Sequence, residues 1–97
     1  MSRDQVEMIY ALMTGDWDTE KHPTPEAAIV RDEFAKGEPC EVLYDRVYRA
    51  ERRLYERLGS EDDEDVDIIV SELTAIGKHL AMKMFDYGLR AASGKLI

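Results

Sequence analysis

Cysteine, proline and histidine are scarce in this chain of 97 residues: one Cys, three Pro and two His. A lone cysteine excludes an internal disulfide and any site built from several thiolates. No apolar run approaches the roughly 18 residues that a membrane span needs. The opening residues Met-Ser-Arg-Asp-Gln hold no apolar stretch of the signal-peptide kind, so the expectation is a cytoplasmic protein. Positive charge is also short, with 13 basic against 21 acidic residues and a formal charge of −8. That balance disfavours nucleic acid and anionic membranes as partners. Sustained period-2 alternation and Asn-Gly or Asp-Gly hairpin signals are missing, which argues against strands. There is no internal repeat, no glycine-rich phosphate loop, and no Ser-His-Asp or Cys-His arrangement. A helical chain this small leaves little volume for a deep pocket. The expectation is a protein that is not an enzyme and takes no metal and no cofactor.

The residues that are present read as helix. Hydrophobic residues make up 44% of the chain, too many for disorder, and the size suits one domain over residues 1–97. The spacing predicts an all-α fold of four helices. It is built on a long antiparallel hairpin of helices 3 and 4, with two shorter helices before it. Helix 1 is expected over 3–14, with Ser2 and Gln5 as a capping box, an apolar stripe of Val6, Ile9, Tyr10 and Met13, and Gly15 as its stop. Helix 2 is expected from the cap Thr24 and Pro25 to Gly37. Helix 3 is expected over 39–59, where Cys40, Leu43, Val47, Ala50, Leu54 and Leu58 approach a heptad seam. Helix 4 is expected to open at Ser60 and reach Ala92, with a seam of Val66, Ile69, Leu73, Ile76, Leu80, Met84 and Tyr87. Gly77 and Gly88 are its weak points, and 93–97 reads as a frayed tail. Seams this long exceed what two short helices cover, so a homodimer is expected. Leu73, Gly77, Leu80, Ala81 and Met84 are its candidate self-association residues, because the small pair Gly77 and Ala81 allows a close crossing.

Three constellations carry candidate chemistry. The acidic run Glu61, Asp62, Asp63, Glu64, Asp65 and Asp67 suits the positive end of a helix dipole. It fails as a calcium loop, since Ile68 and Thr74 stand where glycine and glutamate are needed. It also fits a surface that mimics nucleic-acid phosphate and docks on a basic protein groove. Trp17, between Asp16 and Asp18, reads either as a lid folded onto the helices or as a partner anchor. Arg46, Arg49, Arg52, Arg53 and Arg57, interleaved with Tyr48 and Tyr55, could bind phosphate or stack on bases. Acids among them, as in Asp45 with Arg49 and Arg53 with Glu56, point instead to intrahelical ion pairs. His22 and His79 have no ligand-spaced companion, and Cys40 reads as a small seam residue.

The segments Ile9-Tyr10-Ala11-Leu12-Met13-Thr14-Gly15 and Leu80-Ala81-Met82-Lys83-Met84-Phe85-Asp86-Tyr87-Gly88, with a Pro/acidic loop and a charged helix between them, carry a resemblance. The chain resembles the uncharacterised small acidic helical proteins of Gram-positive gut bacteria and their phages and mobile elements. That family has no assigned activity, so no functional residue comes with it. The resemblance implies context only, and small phage proteins often block host proteins such as CRISPR nucleases. The expected function is a non-catalytic protein-interaction module, in its narrowest form an anti-CRISPR or DNA-mimic inhibitor. It would present Asp16, Trp17 and Asp18 with Glu61, Asp62, Asp63, Glu64, Asp65 and Asp67 to a basic protein surface. The alternatives are a self-associating structural domain and, behind it, a nucleic-acid binder using the arginine stripe.

Overall fold

A computed structural model describes residues 1–94. Among the described residues three α-helices stand where four were expected: α1 (Arg3–Met13), α2 (Pro39–Leu58) and α3 (Glu64–Ala92). The chain divides inside α2 into two compact units, Met1–Leu54 and Tyr55–Ile97, and each is described by itself. There is no strand among the described residues, and no helix among them is long and apolar enough to cross a membrane.

In the first unit, α1 starts on a reciprocal cap. The Ser2 hydroxyl accepts from the Gln5 amide at 3.2 Å, and the Ser2 amide donates to Gln5 Oε1 at 3.1 Å. The helix ends on a Schellman motif: the Gly15 amide reaches the Leu12 carbonyl, and the Asp16 amide reaches the Ala11 carbonyl at 2.8 Å. Leu12, at 6% exposure, is the buried residue of α1. It lies outside the expected stripe, in which Val6, Ile9 and Tyr10 are only half-buried.

The expected second helix over 24–37 is a single 3-10 turn, Pro25–Ala28, and this overturns the four-helix arrangement. Several local preferences act against the helix. The Thr24 hydroxyl donates to Met8 Sδ and bonds Glu26, leaving no side-chain cap. The β-branched pair Ile29 and Val30 weakens the following turn, and Ile29 is 84% exposed. Asp32 takes the Phe34 amide at 2.8 Å, the short-range bond by which Asp competes with a helix. The Glu33 amide then crosses to the Met13 carbonyl at 2.8 Å. Four residues of 3-10 turn offer less than these bonds, so the segment becomes a strap across the end of α1.

In α2, Asp45 pairs with Arg49 at 2.9 Å, as its i,i+4 spacing suggests. Phe34 meets Tyr44 edge-on at 6.1 Å. The seam residues Leu43 and Val47 are exposed, while Cys40 and Leu54 are half-buried.

The second unit begins with the last turn of α2. Gly59, at φ 70, closes a second Schellman motif, with its amide on the Glu56 carbonyl and the Ser60 amide on the Tyr55 carbonyl. Helix α3 does not open at Ser60 as expected. Ser60 Oγ accepts the Asp62 amide in a turn, and Asp63 is the cap, its carboxylate taking the Val66 amide at 3.0 Å. Helix α3 then runs unbroken through Gly77 and Gly88 for 29 residues, about 44 Å. Val66, at 7% exposure, is the buried apolar residue among the described residues of this unit. Of the expected tail, Ser93 and Gly94 terminate α3, with the Ser93 hydroxyl on the Leu89 carbonyl, and 95–97 lie outside the described residues.

Candidate interaction surfaces

The Trp17 loop belongs to the first unit, and its side chains are tied into their own loop. Asp18 Oδ1 accepts the Glu20 and Lys21 amides at 3.0 and 3.1 Å, an Asx turn. Asp16 Oδ2 accepts the Thr14 hydroxyl at 3.3 Å. The half-buried Trp17 indole donates to the His22 carbonyl at 2.9 Å, and its ring lies tilted 5.9 Å from the His22 ring. Trp17 also lines a recess of about 270 Å³ with Leu12, Gly15, Thr19, Ala27, Val30 and Asp32. The recess is closed tightly at one point: a Cβ on Gly15, whose φ is +79, would stand 2.8 Å from Asp32 Oδ2. Asp32 was not singled out from the sequence. An Asp two residues before Phe34 is an Asx-turn signal, but its approach to Gly15 is a tertiary fact.

The acidic run belongs to the second unit, and its members are not equivalent. Asp63 is the half-buried helix cap. Asp67 accepts the Tyr55 hydroxyl at 3.1 Å. Asp62 leans on Asp67, whose hydrogen bond and negative charge hold the Asp62 carboxyl above the usual aspartate range. Glu61, Glu64 and Asp65 are exposed. The run is thus part helix terminus and part solvent-facing charge. Among the described residues, no three His, Cys, Asp or Glu are grouped so as to hold a metal ion.

The candidate self-association residues lie on α3, further along the same unit. Leu73, Leu80 and Met84 are all exposed, at 62%, 61% and 72%. Ile69, Ile76 and Tyr87 extend the same face and are exposed too. At 3.6 residues per turn these six side chains fall within an arc of about 80°. Gly77 and Ala81 border the arc, and nothing lies within 4 Å of a Cβ built on Gly77. Ile69, Ile76 and Tyr87 were legible as seam positions from their heptad spacing. Solvent exposure is what makes them members of a surface rather than of a core.

Comparison with family models, with curated proteins and with solved structures finds no match. The arginines Arg46, Arg49, Arg52, Arg53 and Arg57 are exposed along α2, one of them in the Asp45 pair.

Proposed function

We propose that this chain is a non-catalytic protein-interaction module whose working part is the apolar face of α3. One observation carries this reading: six large apolar side chains at three- and four-residue spacing lie exposed along one helix. Large contiguous apolar patches on a protein surface mark sites that another surface covers. A lone amphipathic helix also draws most of its stability from such packing. Hydroxyl-radical footprinting tests the reading, comparing the pure dilute chain with the chain concentrated or in extract of the cells that make it. The expected result is protection of Leu73, Leu80 and Met84 in at least one of the latter two. Equal labelling in all three overturns it.

A narrower form of this reading is an inhibitor that offers its acidic run to a basic surface of a nucleic-acid-binding protein. Exposure of Glu61, Glu64 and Asp65 favours it. Its binding is salt-sensitive and is lost when Asp62, Asp63 and Asp65 are replaced by serine, a residue that retains capping ability. Unchanged affinity in that triple variant removes the inhibitor form and leaves the α3 surface standing. The homodimer is the self-associating form of the same module.

A further inference from the structure

We infer that the occupant of the α3 apolar face is the α3 of a second copy of this chain, running antiparallel. The inference rests on the reading of that face as the working surface. Its own support is how charge is distributed beside the apolar seam. From Glu64 to Ile76 the helix carries Glu64, Asp65, Asp67 and Glu72 and no basic residue. From Gly77 to Ala92 it carries Lys78, Lys83 and Arg90 against Asp86 alone. Helix α3 is therefore acidic in its first half and basic in its second. The helical period places Asp65, Glu72, Lys83 and Arg90 on one flank of the seam.

A parallel pair would set this flank against the opposite flank of the other copy, where the helical period places Val70, Gly77 and Gly88 and no charge, so its acids and bases would go unpaired. An antiparallel pair reverses this. The register that aligns Ile76 of one copy with Leu80 of the other brings Ile69 level with Tyr87. Within one residue's rise it also brings Glu72 beside Lys83 and Asp65 beside Arg90. Flanking charges of this kind choose orientation and register, while the apolar seam supplies the affinity. The Lys83 stem lies opposite Leu73 with its ammonium at the solvent edge, as long basic side chains do beside apolar seams. Arg90 is already held over the Tyr87 ring at 5.9 Å, at the end of the seam where the acidic half of the other copy arrives.

The decisive experiment joins sedimentation with disulfide trapping. The full chain is expected to sediment as a dimer, with a dissociation constant that rises with salt. Leu73→Asp is expected to weaken it at least about 100-fold, because a carboxylate then sits in the seam. In a Cys40→Ser background, a mixture of Ile69→Cys and Tyr87→Cys chains is expected to form the mixed disulfide, and Ile69→Cys alone is expected not to link to itself. Self-linking of Ile69→Cys overturns the antiparallel orientation. A wild-type chain that remains monomeric up to millimolar concentration overturns the second copy as occupant. If the footprint in extract persists in that case, the interaction module stands and its occupant is another protein. The wild-type sedimentation and the trapping do not depend on whether Leu73→Asp folds.

Discussion

The Trp17 loop with the strap that follows it, and helix α3, show opposite uses of side chains. In the loop and strap, nearly every polar group singled out closes on its own unit: Asp18 on two amides, Asp32 on the Phe34 amide, Trp17 on the His22 carbonyl. On α3, the residues that ought to pack stand in solvent. The difference teaches where to look for function. A tryptophan flanked by aspartates has the composition of a binding loop, yet its geometry is that of a fastening. A leucine-rich seam has the composition of a core, yet its geometry is that of a surface.

Core truncations break this comparison most forcefully. Leu12→Ala should cost about 2–4 kcal/mol in chemical denaturation, since it empties the buried side of α1. Leu80→Ala, measured at a dilution where the chain is monomeric, should change stability by less than about 0.5 kcal/mol. Equal costs would mean that the α3 seam is a core after all. The glycines give the next test. Gly15→Ala should destabilise by about 1–2 kcal/mol, because φ +79 disfavours a Cβ and Asp32 occupies its place. Gly77→Ala should instead stabilise the dilute chain by about 0.5–1 kcal/mol, since open space surrounds a helical position. Asp63→Ala should cost about 0.5–2 kcal/mol and unravel the first turn of α3 in circular dichroism and amide exchange.

The smallest effects are titrations, and the two units differ in sign. Asp67 raises the Asp62 pKa, so above the ordinary aspartate value the folded state still holds a proton that the unfolded chain has released. That contribution is complete below the ordinary value and fades as pH rises through the raised one. Carboxyl NMR should place the Asp62 midpoint above the aspartate range, and Asp67→Asn should bring it back. The Thr24 hydroxyl lowers the Glu26 pKa, so its contribution is present above the ordinary glutamate value and is lost as pH falls. Thr24→Val should return the Glu26 midpoint upward.

Much of the helical layout was legible. Ser2 with Gln5 announces the start of α1, Gly15 and Gly59 announce two helix ends, and the Asp45–Arg49 spacing announces an ion pair. The second helix was misread because Thr24, Pro25 and Glu26 form a good N-terminal signature whose continuation is decided elsewhere. The Glu33 amide finds the Met13 carbonyl, and Asp32 finds Phe34 and the edge of Gly15. The start of α3 was placed early because five successive acids after Ser60 all suit a helix N-terminus. Only side-chain geometry selects Asp63 from among them as the cap.

By itself, then, the sequence determined the all-α character, the helix stops and the apolar seam of α3. Each follows from local preference: capping oxygens, glycines that accept positive φ, and apolar residues at helical spacing. Tertiary structure alone decided that residues 24–37 form a strap, that Trp17 and Asp18 fasten a loop, and that the α3 seam faces solvent. Those outcomes depend on which distant group meets a given amide, carbonyl or methyl, and a helical period carries no information about what lies across from it.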